Sequence, residues 1–111
     1  MITKLKNFVN ESKTNNVLDL VLKGEWFKMI ASGEKKEEYR NITPYWDRRL
    51  ENRSYDVVRF RWGYEKLSPT VYVECKGIQK GGVGRPEWGW DEECYIIKLG
   101  KILKTENFKN D

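Results

Sequence analysis

The chain has 111 residues, 39% of them hydrophobic and 34% charged, with 21 basic side chains against 17 acidic ones and a net charge of +4. That length supports one domain with a modest core, no apolar run approaches the ~20 residues of a membrane span, and the slight basicity gives only weak attraction to polyanions. The absence of histidine removes Ser-His-Asp triads, Cys-His dyads and histidine-based zinc sites together, so any base must be Lys, Glu, Asp or Tyr.

Residues 1–16, MITKLKNFVNESKTNN, carry neither a continuous apolar segment nor a small-residue cleavage site, and are expected to form a flexible lead-in to a cytoplasmic domain. The domain is expected over residues 17–104, opening with a strand from Val17 and an amphipathic helix from Gly24. Trp26, Phe27, Ile30 and Ala31 recur at helical spacing, and Gly33 stands where a helix-terminating glycine belongs. Lys36 to Asn41 should run extended. Thr43 and Pro44 then supply a cap and a first-turn proline for a second short helix, on which Trp46, Arg49 and Leu50 share a face. Alternation predicts strands over Tyr55 to Trp62 and Thr70 to Lys76, followed by a glycine-rich loop from Lys80. A last strand is expected from Cys94 to Leu103, interrupted near Gly100, with residues 105–111 as a frayed tail. The two cysteines, Cys75 and Cys94, read as buried free thiols, and no metal or cofactor is expected. The element order predicts an α+β fold: a curled, largely antiparallel sheet with two short helices.

The segment richest in possible chemistry is GEKKEEYR, Gly33 to Arg40. Lys35 follows the helix end, where it either neutralises the helix terminus or holds a carbonyl oxygen or phosphate, or acts as a base. Glu38 and Arg40 lie two apart and share a strand face, as an ion pair or as a surface that accepts from an exocyclic amine and grips a phosphate. Tyr39 faces the other way, into the core. Lys35 converges with Glu38 only if the chain turns between them. Aromatic residues make up 14% of the chain, most of them needed to fill the core, with two or three left over as stacking platforms. Trp26 lines either a cleft or the core. In the loop KGGVGRPEWGWDEE, Trp88 or Trp90 offers a flat face and Arg85 a phosphate contact, or the loop is a hairpin capping the fold. Arg59 and Arg61 with Tyr55 and Tyr64 form a basic aromatic strand face.

The spacing Gly33, Lys35, Glu38, Arg40 resembles the G-x-K-x-x-E-x-R signature of the ASCH (activating signal cointegrator homology) family, and the likeness extends over roughly residues 17 to 104. It implies a small PUA-like β-barrel that binds RNA or a nucleotide in a cleft around Lys35, Glu38 and Arg40, with Trp26, Arg85 and Trp88 as further contacts. Some small bacterial members deacetylate acetylated cytidine with a lysine, a threonine and a glutamate, and others are reported as ribonucleases. On a hydrolytic reading Lys35 and Glu38 would be the catalytic pair. Here Glu38 stands where those amidohydrolases carry threonine, and Glu74 and Glu87 are the candidates for the third group. A protein partner is a further possibility.

Overall fold

The structure, a computed structural model, describes residues 16–108, so all but Asn16 of the expected lead-in and the last three residues of the expected tail lie outside it. Five strands, β1 (Val17–Val21), β2 (Glu37–Arg40), β3 (Val57–Arg61), β4 (Thr70–Val83) and β5 (Glu93–Glu106), form one sheet in the order β1-β3-β4-β5-β2. β1 and β3 are parallel and the other three pairings antiparallel. Two helices, α1 (Gly24–Ala31) and α2 (Pro44–Leu50), lie in the connection between β1 and β3. The expected α+β class and the two short helices are present. The sheet is mixed and not closed: β1 and β2 are its two edges, and they share no ladder.

α1 buries Phe27, Ile30 and Ala31, the stripe that its 3.6-residue period puts on one side. Gly33, at φ +89°, ends it in a left-handed conformation that suits glycine, with its N–H donated to the Ile30 carbonyl at 3.0 Å. α2 starts as its sequence indicates, the Thr43 hydroxyl accepting from the Trp46 N–H at 3.3 Å with Pro44 in the first turn. Leu50, 1% exposed, pins its far end in the core.

The main core is one cluster. Leu18 and Leu20 of β1, Val58 and Phe60 of β3, Val71 and Val73 of β4, and Tyr95, Ile97 and Leu99 of β5 pack against Phe27, Ile30 and Leu50. Tyr39, Cys94 and Ile96 form a second, smaller cluster with Trp88 and Trp90 packed on it. This explains why four consecutive residues of β5, Cys94 to Ile97, are all buried: the 84–92 loop covers the face that the main core does not.

Three local expectations change. β4 continues through Val83, because the glycine pair at 81–82 is absorbed in a register shift between Lys80 and Val83 instead of opening a loop at Lys80. β5 runs to Glu106 where fraying was expected, since Thr105 and Glu106 pair with Val71 and Thr70. The interruption near Gly100 is an irregularity within a continuous strand, where the Glu74 carboxylate accepts the Lys101 N–H at 3.1 Å. Cys75 and Cys94 are both free thiols, and burial pushes each above its ordinary pKa. Among the described residues no helix is long and apolar enough to cross a membrane.

Candidate functional site

The two sheet edges approach one another at the end of β1. There Arg40 of β2 donates from Nη2 to the Val21 carbonyl of β1 at 3.1 Å, a side-chain link across the seam. A cleft of about 360 Å³ opens along that seam, walled by the end of β1, the first turn of α1, β2, Trp46 of α2 and the 88–90 tip of the loop before β5.

The charged signature forms its floor. After Gly33 reverses the chain, the Lys35 N–H returns to the Met29 carbonyl of α1 at 2.9 Å, which lays the lysine side chain along the start of β2. Lys35 Nζ donates to the Glu37 carbonyl at 2.5 Å and to Glu38 Oε1 at 3.0 Å, and sits 4.8 Å from the centre of the Tyr39 ring. Glu38 Oε2 accepts from Arg40 Nε at 3.1 Å and Nη2 at 2.7 Å. One carboxylate thus joins two cations in a buried chain, Lys35 being 2% and Glu38 5% exposed. Tyr39 donates its hydroxyl to the Glu37 carboxylate at 2.7 Å; burial first, then that bond, push its phenol well above the ordinary value, so it stays protonated at neutral pH.

Aromatic rings make the walls, and four of the five tryptophans of the chain, all but Trp62, line this one cleft. The Arg40 guanidinium lies 5.1 Å from the Trp46 ring centre. Trp26 lies against Gly89, where an added Cβ would stand 2.9 Å from the indole Cζ2, so a glycine lets the loop close on that ring. Trp90 packs on Tyr39 at 6.3 Å, its indole N–H buried with no partner among the described residues. Lys23 adds an exposed cation at the rim.

The fold therefore brings Lys35, Glu38, Arg40, Trp26 and Trp88 together, and leaves Arg85 out. Arg85 is exposed, stacked 4.8 Å from Trp88 and paired with Glu87 at 3.3 Å, and it does not line the cleft. Glu74, at the β5 irregularity, and Glu87 are likewise absent from the lining. Lys23, Asn41 and Trp46 belong to the cleft without having been singled out for it. The Thr43-Pro44 start and helical spacing gave Trp46 a helix face, but no local signal says that this face meets β2. Arg59 and Arg61 line a separate depression of about 320 Å³ with Asp19 and Tyr64, where Asp19 pairs with Arg59 through contacts of 2.5 and 2.8 Å. Among the described residues, no three Cys, Asp or Glu side chains gather in a metal-binding group.

No family model, curated protein or solved structure was found to match this chain.

Proposed function

We propose that this chain is an ASCH-like, PUA-like module that binds RNA or a nucleotide in the cleft between β1 and β2. The observation that carries the reading is the convergence, in about 360 Å³, of four tryptophans with the Lys35–Glu38–Arg40 chain. Aromatic faces stack on any nucleobase, each worth roughly 1–3 kcal/mol, and cations beside them meet the sugar-phosphate. The volume lies in the range of about 300–1,000 Å³ common to small-ligand sites. The Arg40 bond to the Val21 carbonyl supports the PUA-like part of the reading, since it ties the two edge strands of the sheet at a seam.

The hydrolytic alternative has less behind it. Lys35 and Glu38 are bonded to each other and are 2% and 5% exposed, and neither Glu74 nor Glu87 lines the cleft as a third group. Binding asks only for the surface that the ring walls and Arg40 already offer.

With only Trp62 outside the cleft, tryptophan emission reports its occupancy. Titration with a short mixed-sequence RNA is expected to quench that emission saturably and to quench less in Trp26→Phe/Trp46→Phe protein, where Trp88 and Trp90 are the cleft tryptophans that remain. Unchanged emission at millimolar RNA would argue against a stacked ligand.

A further inference from the structure

The cleft's hydrogen-bonding groups are unevenly free. Glu38 already receives three N–H donors from Lys35 and Arg40, so an exocyclic amine would have to displace a charged donor to reach it. Lys35 spends two of its three N–H bonds on Glu37 and Glu38. Arg40 commits Nε and Nη2, yet its Nη1 has no partner among the described residues, and its side chain remains 19% exposed. Lys23 is exposed, makes no side-chain cap bond to α1 and has no ion pair among the described residues. Three cations, one committed carboxylate and the Asn41 amide line the cleft, so the charge it presents to a ligand is that of cationic N–H donors.

A group that only accepts, and carries negative charge, matches that surface; a phosphate is such a group. Resting on the nucleotide-binding reading above, we infer that the cleft recognises its ligand by a phosphate held between Lys23 and the free edge of Arg40. The base then lies against the tryptophan walls, and Glu38 is a positioning residue that fixes Lys35 and Arg40 without meeting the ligand. The phosphate can belong to a free nucleotide or to an RNA strand.

The test is calorimetry at low salt with the four ribonucleosides, their 5′-monophosphates and a tetranucleotide, on the wild-type chain and on Lys23→Ala. Because the Lys23 side chain caps nothing, the variant keeps the fold. Monophosphates are expected to bind at least about tenfold more tightly than nucleosides, an advantage that shrinks severalfold in Lys23→Ala and with added salt. A tetranucleotide stronger than any monophosphate assigns the phosphate to RNA, and equal affinity assigns it to a free nucleotide; both keep the inference. Nucleosides that match their monophosphates would overturn it while leaving base binding intact, and an advantage undiminished in Lys23→Ala would remove Lys23 from the site. Failure of all three ligand classes would overturn the nucleotide-binding reading along with it.

Discussion

At Glu38 a single buried carboxylate sets the position of two cations, one of them as deeply buried as itself. Removing one member of such a chain leaves the others without their counter-charge, which costs far more than the chain's net contribution to stability. Glu38→Gln keeps the shape but gives Lys35 a neutral amide in place of an anion, and it turns N–H donors toward a guanidinium. We expect it to lower the unfolding free energy by about 3–5 kcal/mol in urea titrations. Lys35→Met should cost less, because Glu38 keeps both bonds from Arg40. A loss below about 1 kcal/mol for Glu38→Gln would mean that Lys35 is solvated and the chain is not buried as described. For the same reason Lys35 variants confound stability with binding, and the exposed Lys23 is the cleaner probe of ligand contact.

α2 decides where Trp46 stands, and with it the ring over which Arg40 lies. Beside the Leu50 anchor, its seat on the sheet has a polar part: Asp47 accepts the Tyr95 hydroxyl of β5, and Lys80 of β4 reaches Asp47 at 3.2 Å and Glu51 at 3.1 Å. The Tyr95 hydrogen bond first, then Lys80, hold the Asp47 carboxyl below its ordinary value of 3.8. A carboxyl so lowered contributes stability that is present above the unfolded value and lost as pH falls below it, because the unfolded chain then binds the proton more readily. Thermal unfolding followed from pH 6 to pH 2.5 should therefore show an acid-side loss that is smaller in Asp47→Asn, and an identical acid limb in the two proteins would contradict this seat for α2. At this scale much was legible in the sequence. Thr43-Pro44 and Gly33 marked helix ends through cap chemistry that acts within a few residues. The length of β4 and β5 was not, because pairing partners distant in sequence carry β4 across the Gly81–Gly82 register shift to Val83 and draw Thr105 into the ladder against local turn signals.

Across the whole molecule, the cleft lies where Arg40, on one edge strand of an open sheet, reaches the Val21 carbonyl on the other. The octet from Gly33 to Arg40 made its own contribution readable, since the two-residue spacing of Glu38 and Arg40 dictates a shared strand face. The turn that swings Lys35 onto Glu38 was not readable, nor was the arrival of Trp46 from α2 and of Lys23 from just past the end of β1, which share no pattern with the octet. Arg85 stands outside the cleft lining; its nearness to Trp88 in sequence says nothing about which face of the ring it covers. On the proposed reading, this seam is where the protein meets its ligand. A two-dimensional amide NMR titration with a ribonucleoside 5′-monophosphate, followed by a short RNA, tests it most directly. Saturable shifts are expected at Lys23, from Lys35 to Asn41 and from Trp88 to Trp90, with the 62–69 turn unmoved; shifts confined to the Arg59–Arg61 face, or none at all, would rule out binding at the seam.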